Sequence, residues 1–191
     1  MAYNFFPMIS RMKYIDRWGP MRNTVQENIQ EHSHQVAVLA HALALIQNRY
    51  FGGQVDPGAV AVAALYHDAS EILTGDMPTP IKYDNPDIRD AYKQVEAVAE
   101  RRLLSMLPED LRMDYDAVIT IPDPEIRALV KAADKLSAYL KCVEELKAGN
   151  LEFKKAKDQT YAALCQNPIP ALKYFMENFL SGFDLTLDEL T

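Results

Sequence analysis

The residues Tyr66-His67-Asp68-Ala69-Ser70-Glu71 put an imidazole and two carboxylates directly behind an apolar run, Val60-Ala61-Val62-Ala63-Ala64-Leu65. The run is apolar on all sides, so the helix that carries it belongs in the interior. Asp56 and Pro57 provide its start, one as N-cap and the other as first helical residue. A His, an Asp and a Glu in the last two turns of a buried helix need an explanation. Unpaired polar groups there are costly, and unpaired charges far more so. A divalent metal ion supplies one. His67 and Asp68 are adjacent and can converge on a single cation. Glu71, one turn beyond His67, lies on the same helical face as a carboxylate held beside the ion. The dipeptide alone is also compatible with a core histidine hydrogen-bonded at a helix end, so the metal reading requires ligands from elsewhere in the chain.

The segment 28–47 carries three histidines, His32, His34 and His41. On a helical wheel with His32 at zero, Ile29, Val36, Leu39, Leu43 and Ile46 all fall within about 60° of it, whereas His34 and His41 fall at roughly 180–200°. His32 therefore points into the core and needs a partner there, while His34 and His41 belong to the mixed face and are not expected to ligate. A fourth ligand is offered by Asp134 in Val130-Lys131-Ala132-Ala133-Asp134-Lys135-Leu136. The wheel puts Asp134 at the border of the apolar stripe, where an i, i+3 ion pair with Lys131 is an equally good reading.

These groups can be held only by helices. Nearly every segment shows a 3.6-residue period and none alternates as a strand does. The expected elements are a short helix over 5–15, a long one over 28–47, the helix 57–73, an irregular Pro-rich stretch 74–85, and a helix from Asn85-Pro86 to about Leu107. A short helix precedes Ile121-Pro122. A helix over 125–147 is capped by Asp123-Pro124 and ends at Gly149, and two C-terminal helices are broken by Asn167-Pro168-Ile169-Pro170. The sum is an all-α bundle of about eight helices with no visible linker, read as one domain over 1–191. A net charge of −7 with scattered Lys and Arg argues against wrapping a nucleic acid polymer. Cys142 and Cys165 make no disulfide framework and read as thiols of a cytoplasmic protein. No signal peptide is evident in Met-Ala-Tyr-Asn-Phe-Phe-Pro. No apolar run approaches the roughly 20 residues of a membrane span.

The order His32, His67-Asp68, Asp134 over three helices resembles the HD-domain phosphohydrolase superfamily. The likeness narrows further. Asp-Arg-Trp (16–18), Met-Arg-Asn (21–23), Glu-His-Ser-His-Gln-Val-Ala (31–37), Tyr-His-Asp-Ala-Ser-Glu-Ile-Leu-Thr-Gly-Asp (66–76), Pro-Thr-Pro-Ile-Lys-Tyr (78–83), Ala-Asp-Lys-Leu-Ser-Ala-Tyr-Leu-Lys-Cys (133–142) and Tyr-Phe-Met-Glu (174–177) are similar to segments of the bacterial HD-domain 5′-deoxynucleotidases. His34 and Gly19 are small departures from that pattern, and neither touches an expected ligand.

The resemblance implies an HD domain with its phosphohydrolase core over about residues 28–147. It implies hydrolysis of deoxyribonucleoside 5′-monophosphates, a homodimer, and one divalent metal ion (cobalt, manganese or another transition metal) on His32, His67, Asp68 and Asp134. The chemistry fits: two imidazoles and two carboxylates leave coordination positions open for water and phosphate. Asp68 and Glu71 are then the catalytic pair, with Glu71 positioning the attacking water or moving its proton. Arg17 is the expected phosphate clamp. Trp18 is either a wall against the sugar or a core anchor. Asp76, Met77, Pro78 and Thr79 are expected to line the nucleoside side, and His32, Asp68 and Asp134 to border the substrate. The alternatives are an HD-domain hydrolase of a nucleoside triphosphate or cyclic dinucleotide, a metal- and nucleotide-binding regulatory module, and a helical scaffold. A triphosphate asks for more cations than Arg17 alone, a pure binder has no use for Glu71, and a scaffold leaves the inward His32 unexplained.

Overall fold

The helices start where short polar residues can satisfy their first backbone N–H groups. The structure, a computed structural model, describes residues 2–78 and 85–191. Among the described residues there are nine α-helices: α1 (Phe5–Ile9), α2 (Ile29–Phe51), α3 (Pro57–Tyr66), α4 (Glu71–Thr74), α5 (Pro86–Leu104), α6 (Glu109–Ile119), α7 (Pro124–Lys147), α8 (Lys154–Cys165) and α9 (Pro170–Phe179). A 3₁₀ turn over Ser10–Tyr14 replaces the second half of the expected first helix. Asn28 caps α2 by accepting from the N–H groups of Gln30 and Glu31, and the Glu31 carboxylate returns to the Asn28 N–H. Asp56, Asn85 and Asp123 cap α3, α5 and α7 by accepting backbone N–H groups alone, each followed by Pro at the first helical position. Extended pairing among the described residues is limited to one bridge, Asp16 to Asn28.

Helix α2 is the axis of the fold, packed by α3, α7 and α9. The face predicted to point inward does so: Ile29, His32, Val36, Leu39, Leu43 and Ile46 are all buried, and His34 and His41 are exposed. A large core forms between this face and residues such as Val60, Leu136, Leu140 and Leu172. A second, smaller core joins Phe5, Ala69, Leu103, Leu107 and Ile119.

The two cores meet where the expected helix 57–73 is broken, which corrects the sequence reading. α3 stops at Tyr66. The chain then tightens into i to i−3 bonds, with Ala69 N–H to Tyr66 O at 2.9 Å, Glu71 N–H to Asp68 O at 3.0 Å and Leu73 N–H to Ser70 O at 3.0 Å. Two causes are visible. His67 Nδ1 donates to Ala64 O at 2.7 Å, and in a regular α-helix that carbonyl belongs to the N–H of residue 68. From the other side, Phe5 stacks on Tyr66 with centroids 6.5 Å apart and meets Tyr115 edge-on at 4.9 Å. Helices α1 and α6 thus lock the break from outside.

Because Phe5 is fully buried at this junction, Phe5→Ala is expected to cost about 3–5 kcal/mol. Urea denaturation measures it, and a loss under about 1 kcal/mol would show that the aromatic lock is slack.

Candidate functional site

His32, His67 and Asp68 each present one donor atom, and these atoms lie within 4.8 Å of one another. His32 comes from the second turn of α2, and the other two from the tightened break after α3. His32 Nε2 stands 3.5 Å from Asp68 Oδ2, and His67 Nε2 stands 3.1 Å from the same oxygen. Asp134, on α7, joins through its Oδ1, 3.0 Å from His32 Nε2. The alternative pairing of Asp134 with Lys131 is not among the ion pairs of the described residues. Lys131 is exposed, and the border position of Asp134 faces α2.

The ring nitrogens decide whether a cation suits this group. His67 donates from Nδ1 to Ala64 O, so in the neutral ring Nε2 carries the lone pair, and Nε2 has no well-aligned hydrogen-bond partner among the described residues. Facing it at 3.1 Å is a carboxylate oxygen, off the line of a hydrogen bond. Two lone pairs in that relation repel unless a positive centre lies between them. Ligating histidines are held in this way, with the far N–H given to a carbonyl or carboxylate. The electrostatics agree. Burial opposes charging His67, but the Asp68 and Asp134 carboxylates outweigh it and push the ring up to about 9. Burial likewise opposes ionising Asp68 and Asp134, yet His67 and His32 hold both carboxyls below the ordinary range. A place that draws a proton onto an imidazole so strongly also draws a metal cation, and mixed nitrogen and oxygen donors suit a transition metal.

Arg17 lies beside this group. Burial works against its charge, but Glu27, Asp134, Asp68 and Asp76 together hold it more firmly cationic than usual. Its Nη1 is 2.5 Å from Glu27 Oε2, and Trp18 Nε1 donates to the same oxygen at 3.2 Å. Glu27 therefore positions both residues of the Arg-Trp pair. Sequence reasoning missed it, although two adjacent donors in a turn call for one acceptor. Trp18 has φ +59, a left-handed conformation that is rare for a bulky residue. Its indole packs on Phe153 at 5.3 Å between ring centroids. Burial raises the Asp76 carboxyl above its ordinary value, against the pull of Arg17.

The remaining expected residues divide. Glu71 is buried, but it begins α4 rather than continuing the helix of His67, which corrects the expectation of a shared helical face. Met77 is partly buried and Pro78 exposed, in coil after Gly75. Thr79 lies outside the described residues. Two more residues were missed. Ser137 is fully buried with its Oγ 3.1 Å from His32 Nδ1, and Gln35 accepts the Ser137 hydroxyl at 2.6 Å.

Known proteins resemble the chain over nearly its whole length. Residues 4–183 fit the family described as 5′-deoxynucleotidase YfbR-like. A 5′-deoxynucleotidase of Vibrio cholerae is 52% identical over 190 residues, 98% of each chain. Another, of Shewanella oneidensis, is 50% identical over 189 residues, covering 98% of this chain and 97% of that one. Among solved structures, an HD-domain phosphohydrolase from Listeria innocua superposes with a TM-score of 0.82 at 22% identity, over 96% of this chain and 90% of its own. An HD phosphohydrolase of cyanophage S-2L, solved with dA and one catalytic Zn²⁺ ion, gives 0.65 at 23% identity over 94% and 96%. At these identities the structural likeness is one of fold. The match over 4–183 and relatives about half identical over nearly their whole length carry the assignment: the chain belongs to the YfbR-like 5′-deoxynucleotidase family, on the HD-domain phosphohydrolase fold.

Proposed function

We propose that the protein is a metal-dependent phosphomonoesterase that hydrolyses deoxyribonucleoside 5′-monophosphates to deoxynucleoside and phosphate. The observation that carries this reading is the convergence of His32, His67 and Asp68 with Asp134 beside the Arg17 guanidinium. These four residues would hold one divalent cation, a transition metal such as cobalt, manganese or zinc. When bound, the cation supplies Lewis acidity, making water acidic enough to attack near neutral pH and offsetting charge on the phosphoryl oxygens.

The chain supplies the rest. Arg17 has donors beyond the one Glu27 takes, and its planar fork suits two phosphate oxygens. Glu27 holds that fork in place, so little freedom is lost when phosphate arrives. Glu71 positions the attacking water and takes its proton. Trp18 stands against the sugar, and Asp76, Met77, Pro78 and Thr79 line the nucleoside side. His32, Asp68 and Asp134 border the phosphate. The chain acts as one HD domain with its core over about residues 28–147. Among the described residues no helix is long and apolar enough to cross a membrane. Cys142 and Cys165 are free thiols, in keeping with a cytoplasmic enzyme. The family resemblance supports a homodimer.

Phosphate release from ribo- and deoxynucleotides, mono- to triphosphate, with Mn²⁺, Co²⁺ or Zn²⁺ tests the whole reading. Selective release from deoxynucleoside monophosphates is expected, and preference for a triphosphate would move the protein to another branch of the superfamily.

Loss of one ligand is expected to remove metal and activity together in His67→Ala and Asp134→Ala, whereas His34→Ala and His41→Ala keep both. Metal content by atomic emission is the check, and a full complement in Asp134→Ala would take Asp134 out of the set. Glu71→Gln is expected to keep its metal and lose at least about 10²-fold in turnover. Metal loss in that variant would make Glu71 a ligand instead.

Deoxyribose selection is expected to rest on Trp18. A polar acceptor would bind a 2′-hydroxyl, and an apolar pocket that merely tolerates one discriminates only about 10²-fold. An indole fixed by Glu27 and Phe153 is a wall without room or partner. In Trp18→Ala, kcat/KM for AMP is expected to rise relative to dAMP even if both fall. An unchanged ratio in the folded variant would place the wall in residues 76–79.

A further inference from the structure

The two imidazoles of the site are anchored differently on the side away from it. His67 gives its Nδ1 proton to Ala64 O at 2.7 Å, a backbone acceptor that no side-chain change removes. His32 Nδ1 meets a hydroxyl, Ser137 Oγ, at 3.1 Å. A hydroxyl both donates and accepts, so by itself it leaves either tautomer of His32 open. The ambiguity is removed one bond further out. The Ser137 hydroxyl donates its single hydrogen to Gln35 Oε1 at 2.6 Å. Only its lone pairs then face His32, which must donate from Nδ1, and the lone pair of the neutral ring is left on Nε2. That nitrogen stands 3.0 Å from Asp134 Oδ1 and 3.5 Å from Asp68 Oδ2.

We propose that Ser137 and Gln35 are positioning residues whose hydroxyl-to-amide relay fixes the His32 tautomer and turns Nε2 toward the divalent cation. The relay uses two helices twice. α2 supplies His32 and, one turn on, Gln35; α7 supplies Asp134 and, one turn on, Ser137. Each helix thus presents one group to the site and one group behind it, at the i, i+3 spacing that keeps both on one face. Ser137 is fully buried with His32, so water does not substitute for either partner. A second shell of this kind is worth about 10–100-fold in metal affinity.

This inference rests on the metal-binding reading of the site, and the experiment separates the two. Zn²⁺ affinity is measured on the full chain by competition with a chromophoric chelator, for wild type, Ser137→Ala and Gln35→Leu. Long-range ¹H–¹⁵N spectra of the Zn²⁺-loaded proteins identify the protonated ring nitrogen of each histidine. Wild type is expected to show Nδ1–H on both His32 and His67. Ser137→Ala is expected to bind Zn²⁺ about 10–100-fold more weakly and to broaden the His32 Nδ1–H signal while leaving that of His67 unchanged, which a general loosening of the fold would not do. Gln35 reaches the surface, so Gln35→Leu keeps the test open should the buried change unfold the protein. It frees the hydroxyl to turn and is expected to lose about tenfold, the low end of that range. Wild-type affinity in the folded variants with an unaltered His32 signal overturns the relay and leaves the metal site standing. Failure of wild type to bind Zn²⁺, Mn²⁺ or Co²⁺ overturns both.

Discussion

Crowding of like charge is the constraint on which this structure turns. The Asp134 charge pushes Asp68 upward, and that of Asp68 pushes Asp76 upward, all within the field of one guanidinium. Two unit charges at 4 Å in a partly buried setting repel by about 4 kcal/mol. A single neutral hydrogen bond returns only about 1 kcal/mol net. Hydrogen bonding alone therefore cannot hold such a group together, and positive charge must. Part of it is built in as Arg17. The rest falls to the imidazoles or to a cation between them, which is why His67 is pushed up to about 9 despite its burial. Such a site favours a positive centre at its middle, whether the second proton of His67 or a divalent cation.

Arg17 can serve that purpose only if an irregular segment is held as firmly as a helix. The segment 17–27 closes on itself by Arg17 N–H to Glu27 O at 2.8 Å and Ile29 N–H to Ile15 O at 2.9 Å. The far end of α7 pins it. Glu145 accepts the N–H groups of Thr24 and Val25 at 2.9 and 3.2 Å, and Asn150 at 2.9 Å. These bonds, with Lys141 at 2.5 Å, outweigh burial and hold the Glu145 carboxyl well below its usual value. Lys141 also donates to Val25 O. An ion pair this deeply buried is weak grounds for net stability, but breaking it by removing one partner costs about 3–5 kcal/mol. Its contribution is placement. The same helix that carries Asp134 and Ser137 fixes the loop that carries Arg17 and Trp18. The left-handed Trp18 costs on the order of 1–3 kcal/mol, a strain that its anchors at Glu27 and Phe153 sustain.

How much of this was legible in the sequence depended on the range of the forces involved. The starts at Asp56, Asn85 and Asp123 act within three residues and are legible in the sequence, as is the start of α2 near Asn28, though not its capping box. The inward face of α2 follows from periodicity, so His32 was separated from His34 and His41 without a structure. The break after Tyr66 was not legible. It depends on one side-chain bond, His67 to Ala64, and on Phe5 and Tyr115, which lie far away in the chain. Asp134 stayed balanced between His32 and Lys131 because it sits at the edge of its stripe, and only the approach of α2 decides between them. Glu27 was missed for the same reason: nothing local distinguishes it from a solvated carboxylate beside a helix cap. Ser137 and Gln35 left a weak trace, the i, i+3 spacing from Asp134 and His32, which acquires meaning once the two helices are known to face each other.

The assembly of the donor set from positions 32, 67–68 and 134 has an energetic consequence. These residues are far apart in the unfolded chain and meet only when α2, the break after α3, and α7 are all in place. A ligand that needs the whole set binds the folded state alone, and its binding energy is then folding energy. At a hundredfold excess over its dissociation constant it stabilises the fold by about 2.7 kcal/mol, comparable to the cost of the strained Trp18. The break after α3 lies at the boundary of the two cores, with Ala69 in the smaller one and Ala64 in the larger. A cation bound at His67 and Asp68 would therefore fasten the seam between them, and the elements proposed to do the chemistry would be those it holds in register.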